Sequence, residues 1–143
     1  MDPLSITAGA IAVLQLCAST GKLFSDLRAV CRELPGRLHA LESAVADLAG
    51  VLQEVGAALE ERDEVYMSKD DTSQLNRLLT YATGKLDELQ RLLIHLTNVV
   101  RSSRVSLVQA NSWRKTHPRL KNLQDDIQGI KSSLNILIGA SNS

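Results

Sequence analysis

The N-terminal segment Asp2–Gly21, DPLSITAGAIAVLQLCASTG, carries no charge after Asp2, and the next charged residue is Lys22. Asp2 and Pro3 predict a helix start, because the carboxylate caps free backbone N–H groups and proline at the first helical position gives up a donor that has no partner there. From Leu4 to Ala18 the predicted helix is apolar nearly all round. We expect such a helix to be buried on most sides, either inside a helical bundle or in a bilayer.

The composition of the whole chain also favours helix over sheet. Of its 143 residues, 44% are hydrophobic but only 3% are aromatic, and leucine and alanine dominate the hydrophobic set. These are strong helix formers, whereas aromatic residues are enriched in strands. A chain of this length buries roughly two-thirds of its unfolded surface and needs no metal or disulfide to fold. The sequence therefore predicts an all-α domain.

Three later stretches repeat leucine, isoleucine and valine at alternating steps of three and four residues. They run over Leu38–Leu59, Leu75–Val100 and Leu120–Leu137. This spacing is typical of helices that pack at a shallow angle against neighbours. Because each stretch is only about three heptads long, it favours one chain folded on itself over an extended coiled coil. We predict a helical bundle of four main helices, with the apolar N-terminal helix packed in the core.

Turn and capping residues suggest where the first three helices begin and end. Leu34-Pro35-Gly36 is expected to end the first helix. Residues 63–72 predict a connector, with Thr72 or Ser73 as the cap of the third helix. The third helix is expected to continue to Arg101 or Ser103.

The hydrophobic period is lost over residues 102–117, which predicts a loop or a short fifth helix around 104–116. Pro118 is then expected to open the fourth main helix, and Gly139 to end it. One domain is therefore predicted over 1–139.

Charge is distributed unevenly along the chain, although the formal net charge is zero. Residues 35–72 hold three basic and nine acidic side chains, whereas residues 73–143 hold ten basic and four acidic ones. Such asymmetry bears on partners rather than on fold. The last residues, 140–143, form a polar tail, and we expect it to lead to further domains in a longer protein.

A basic cluster without acidic neighbours extends from the end of the stretch Leu75–Val100 to the start of the stretch Leu120–Leu137 and surrounds Trp113. Its members are Arg101, Arg104, Arg114, Lys115, Arg119 and Lys121. Cations beside an indole suit an anionic membrane surface, where each contributes about 1 kcal/mol. The alternative is that they neutralise the acidic end of the second helix. Trp113 itself is expected to fill the core. Nucleic acid is not an expected partner, because the chain has one Trp and no net positive charge.

No catalytic, cofactor or metal site is expected from the sequence. His39, His95 and His117 lie on different segments, and none has a second ligand at metal-binding spacing. Cys17 and Cys31 are about 21 Å apart on a continuous helix, too far for a disulfide. They are expected to be buried structural thiols in a reducing cytosol.

Several motifs together resemble a known family. They are the opening MDPLSITAGAIAVLQLCAS, the break at Leu34-Pro35, Trp113 with Arg114 and Lys115, and the closing Leu123, Ile127, Ile130 pattern followed by Lys131-Ser132-Ser133-Leu134. The chain is similar to the fungal N-terminal domain of STAND-type receptors, in the HeLo-like group of cell-death domains. That resemblance implies a cytosolic helical bundle ahead of a NACHT module and repeats. It also implies a role in cell death or incompatibility, in which activation frees the N-terminal helix to attack the plasma membrane.

Two functions are compatible with these features. The first is a membrane-active effector, since residues 3–21 span about 28 Å as a helix, close to the hydrocarbon thickness of roughly 30 Å. Its insertion candidates are Leu4, Ile6, Ile11, Val13, Leu14 and Leu16. Its partners would be anionic lipids, and it would move from cytoplasm to plasma membrane on activation. The second is a protein–protein interaction or oligomerisation module that binds NACHT and repeat domains or other helical bundles, with the first helix kept in the core. An enzyme is not expected.

Overall fold

The computed structural model describes the backbone of residues 3–31, 35–61, 68–102 and 106–142, and the side chains of 6–31, 35–59, 68–102 and 113–139. It contains four helices: α1 (Pro3–Val30), α2 (Gly36–Glu61), α3 (Lys69–Ser102) and α4 (Ser106–Asn142). The described residues contain no strand. The predicted all-α fold with four main helices is confirmed.

Each helix of the bundle packs against two others. α1 packs against α2 and α3, and α4 packs against the same two helices, so α1 and α4 lie at opposite corners. α1 and α3 are parallel, because a Cβ added at Gly9 would lie 3.4 Å from Leu79 and the Leu16 carbonyl accepts a hydrogen bond from Gln90.

α2 and α4 are also parallel neighbours. Arg37 donates a 2.7 Å hydrogen bond to Gln124, and the Lys131 ammonium lies 3.7 Å from the Asp47 carboxylate. With α2 antiparallel to α1, the starts of α1 and α3 therefore share one end of the bundle with the ends of α2 and α4. We call the end of the bundle at which α1 begins the N-terminal end, and the end of the bundle at which α1 ends the C-terminal end.

α1 contributes a narrow buried stripe rather than a fully buried helix. The stripe repeats at steps of four and three: Ile6, Ala10, Val13, Cys17, Thr20, Phe24 and Leu27. On the outer side, Ile11 is 49% exposed, and Ala8, Ala12 and Ala18 are exposed too. α1 thus packs against the other helices as predicted, but the expectation of burial on most sides is wrong, because α1 occupies a corner of the bundle.

The structure corrects the predicted limits of the fourth helix. α4 begins at Ser106 and runs without a break through Pro118 to Asn142, so there is neither a loop nor a separate fifth helix over 106–117, and Gly139 is not its stop. Trp113 packs against the core and Thr116 is buried, which extends the three-and-four spacing toward the N-terminus. Because Thr116 is polar, the sequence period is hidden there. Pro118 is tolerated on the exposed side of the helix.

The start of α3 also differs from the prediction. Ser68 Oγ accepts a 3.1 Å hydrogen bond from the Asp71 N–H, so Ser68 is the cap, and Thr72 and Ser73 lie inside the helix. Asp70 and Asp71 in the first turn favour this start, since carboxylates interact well with the positive end of the helix dipole. The predicted end of α3 is confirmed within a residue, whereas the predicted Asp2 cap of α1 lies outside the described residues.

Phe24 on α1 gives a test of this packing. It is fully buried, so Phe24→Ala should lower the free energy of unfolding by about 3–5 kcal/mol through lost burial and a residual cavity. Ile136→Ala is the control, because Ile136 is 71% exposed and its truncation should change stability by less than about 0.5 kcal/mol. Urea unfolding followed by circular dichroism measures both, and equal losses would contradict the arrangement.

Candidate functional site

The six insertion candidates on α1 do not share one exposed face. Ile6 and Val13 belong to the buried stripe, and Leu14 and Leu16 are half-buried against the core. Ile11 points outward, while the side chain of Leu4 lies outside the described residues. Joint contact of these side chains with lipid therefore requires α1 to separate from α2 and α3.

α1 is more apolar than its packing requires. Among the residues that the structure describes, Ile6–Val30 is long and apolar enough to cross a membrane by length and composition. A core helix and an N-terminal signal sequence pass the same test. In this segment 28% of the most apolar window is fully buried, and Leu14, Leu16 and Leu23 are half-buried against the core. Among the described residues, the outer face of α1 is uncharged up to Lys22, and its exposed side chains are Ile11, three alanines, Gln15 and Ser19.

A polar contact interrupts the apolar interface between α1 and α3. Thr20 is fully buried, and its hydroxyl donates a 2.6 Å hydrogen bond to the Leu16 carbonyl. From α3, Gln90 Nε2 donates to Thr20 Oγ1 at 3.1 Å and to the Leu16 carbonyl at 3.3 Å. The sequence analysis missed this contact, although one signal was available: Thr20 stands at the stripe spacing, between Cys17 and Phe24.

Cys17 lies in the same stripe, four residues after Val13, and is buried as expected. Burial raises the pKa of its thiol to about 11, because the thiolate loses hydration among apolar neighbours. A cysteine side chain reacts as the thiolate, and only when reagents can reach it. The rate at which Cys17 reacts therefore indicates whether α1 is packed on α2 and α3.

The five described members of the basic cluster are exposed and have no ion-pair partner among the described carboxylates. Arg101 is next to the last residue of α3, and four cations lie in the first half of α4: Arg114, Lys115, Arg119 and Lys121. Arg104 lies outside the described residues. Trp113 beside them is half-buried against the core, which confirms its predicted packing role.

The basic cluster lies away from the acidic end of α2. α2 ends at Glu61, at the N-terminal end of the bundle, whereas Arg101 and Arg114 lie toward the opposite end. α1 is 28 residues long, or about 42 Å. The structure thus places the cations away from both the acidic end of α2 and the first residues of α1, and close to where α1 ends.

Near that C-terminal end, Arg28 of α1 forms an ion pair with Glu42 of α2. A second charged group joins α3 to α4: the Lys85 ammonium lies 3.2 Å from Asp126 and 5.3 Å from the ring centre of Tyr81. The hydrogen bond to Asp126 raises the pKa of Lys85. Both pairs are partly exposed and join neighbouring helices.

No metal-binding group of three His, Cys, Asp or Glu side chains occurs in the part of the chain that the structure describes. The fold and the surfaces above define an all-α four-helix bundle domain whose N-terminal helix carries surplus apolar surface. The chain belongs to the family described as pigment biosynthesis cluster protein PigL N-terminal, whose family model matches residues 1–142. This membership is consistent with a fungal N-terminal domain. No curated protein and no solved structure gives a significant match.

The shifted pKa of Cys17 predicts a specific loss of stability in alkali. The unfolded thiol titrates near its ordinary pKa of 9.0 and the folded one near 11. Stability from the neutral thiol is therefore fully present below about pH 9 and declines as the pH rises toward 11, by roughly 2 kcal/mol. Urea unfolding at pH 8 and pH 10.5 measures the decline. Cys17→Ala should show a smaller decline than the wild type, and equal declines would contradict the assignment.

Proposed function

We propose that this chain is a non-enzymatic N-terminal signalling or effector domain of a fungal STAND-type receptor, which acts on membranes through α1 in cell death or incompatibility. The observation that carries the proposal is the apolar character of α1: a 25-residue segment of membrane-spanning length, of which 28% of the most apolar window is fully buried. The resemblance to HeLo-like domains and the family match to a fungal N-terminal domain support the same class of protein.

In the proposed resting state, α1 is seated on α2 and α3 and its stripe is buried. In the active state α1 separates, and Ile6, Val13 and Cys17 exchange the bundle core for the hydrocarbon of the bilayer. Little hydrophobic free energy is lost in that exchange, because both surroundings are apolar. The cations of the basic cluster lie at the C-terminal end of the bundle, where α1 ends. Anionic headgroups that bind these cations would therefore keep the bundle at the membrane surface while α1 inserts.

The alternative function is a protein–protein interaction or oligomerisation module. One observation favours it: the basic cluster lies at the opposite end of the bundle from the start of α1. While α1 is packed on α2 and α3, the start of α1 and the cations therefore cannot both contact the same flat membrane. In that function the outer face of α1, with Ile11 and Ala8, would contact NACHT and repeat domains or another bundle while the stripe stays buried.

Ile11→Glu separates these functions, because Ile11 is half exposed at rest and the substitution should leave the bundle folded. A charge near the centre of a membrane-spanning helix costs about 3 kcal/mol, so leakage from anionic liposomes should fall about 100-fold. Ile136→Glu is the matched control on α4 and should leave leakage unchanged.

Circular dichroism verifies that both variants are folded. If the wild type neither sediments with anionic vesicles nor releases their contents, the membrane function is wrong and the interaction module is retained. Unchanged leakage by folded Ile11→Glu would also contradict membrane insertion of α1.

A further inference from the structure

The contact between Thr20 and Gln90 is a polar interruption near the centre of the interface between α1 and α3. Its neighbours on the stripe, Cys17 and Phe24, are apolar and buried. Thr20 itself has no exposed surface, so its hydroxyl depends on protein partners. Those partners are the Leu16 carbonyl within α1 and the amide of Gln90 across the interface.

This arrangement restricts the register of α1 on α3. The first half of the stripe is made of Ile6, Ala10, Val13 and Cys17, which are similar enough in chemistry that a shift by one helical turn would still pair apolar side chains. The same shift would leave Thr20 bonded to the Leu16 carbonyl, but it would move the half-buried Gln90 amide away from both of its acceptors on α1 and place it against apolar side chains, which is costly. A single polar pair in an apolar seam is a known means of specifying register.

The pair also lowers the cost of separating the two helices. An apolar pair at this position would lose burial when α1 leaves, whereas the hydroxyl and the amide exchange their mutual hydrogen bond for hydrogen bonds to water. Gln90 is half-buried, so water can reach the contact from the surface. The interface is therefore specific in register and weaker at its centre than a continuous apolar seam.

We propose that Gln90 is a positioning residue, which fixes α1 in one register on α3 and sets how readily α1 leaves the bundle. The proposal deepens the proposed function, since release of α1 is the step on which membrane insertion rests. It concerns the soluble protein alone, so it can be tested without a membrane.

The rate of Cys17 alkylation measures release, because Cys17 is buried on the α1 stripe. Lys22 and Arg28 place Cys17 and Cys31 on different tryptic peptides, so mass spectrometry distinguishes the two thiols in the unaltered protein. The probe is iodoacetamide at pH 8 under native conditions. Gln90→Ala removes both hydrogen bonds from α3 and should accelerate the alkylation of Cys17 about tenfold.

Thr20→Val combined with Gln90→Leu replaces both partners by apolar groups of similar shape, which is neutral or stabilising. The double variant should therefore return the alkylation rate to the wild-type value or below it. Gln124→Ala is the matched control: it removes the 2.7 Å hydrogen bond that Arg37 donates across the interface of α2 and α4, and it should leave Cys17 alkylation unchanged.

An alkylation rate for Gln90→Ala within twofold of the wild type would overturn the proposal. So would an equal acceleration by Gln124→Ala, which would indicate general destabilisation, or failure of the double variant to restore protection. Liposome leakage measured on the same variants separates the two levels. If alkylation changes as expected but no variant causes leakage, Gln90 keeps its positioning role and the membrane function is wrong.

Discussion

The contact of one narrow stripe of α1 with α2 and α3 is the interaction on which the other features of the bundle depend. α1 supplies one of the four faces that close the core, and Phe24 and Leu27 at its C-terminal half are among the most deeply buried side chains. Without α1, the apolar faces of α2 and α3 would be open to water, at about 25 cal/mol per Å² of exposed apolar surface. Burial of the stripe therefore stabilises both the bundle and the packed position of α1.

The stripe uses only part of the apolar surface that α1 carries. Ile11 and the alanines around it face solvent, although no packing requirement accounts for them. In the proposed function, this outer face is the surface that would contact a bilayer or a partner protein. The contact between Thr20 and Gln90 is suited to a helix that packs in one register on α3 and can also separate from it. A continuous apolar seam would be more stable, but it would neither fix the register nor ease the separation.

The sequence was sufficient for the fold class and for the buried faces of α2 and α3, because their leucine and valine seams have an unbroken three-and-four period. It was insufficient where small or polar residues occupy seam positions. Thr116 in α4 conceals the period, which led to an α4 predicted to start at Pro118. α1 was predicted to be buried on most sides because Leu4–Ala18 is apolar nearly all round, so its sequence does not distinguish the packed face from the outer face. Neighbour relations could not be predicted either, since periodicity identifies the face of a helix that is buried but not the helix that covers it. The separation of the cations from the start of α1 follows only from those relations.

The central claim is that α1 is a separable part of the bundle and that its separation produces activity at membranes. A disulfide between α1 and α3 provides a direct test, and we choose Gly9→Cys with Leu79→Cys because these positions face each other: a Cβ added at Gly9 would lie 3.4 Å from Leu79 Cδ1. With Cys17 and Cys31 replaced by alanine, leakage from anionic liposomes is compared for the oxidised and the reduced protein. The account predicts no leakage while the disulfide is intact and leakage after reduction. Equal leakage by protein verified to carry the disulfide would contradict it.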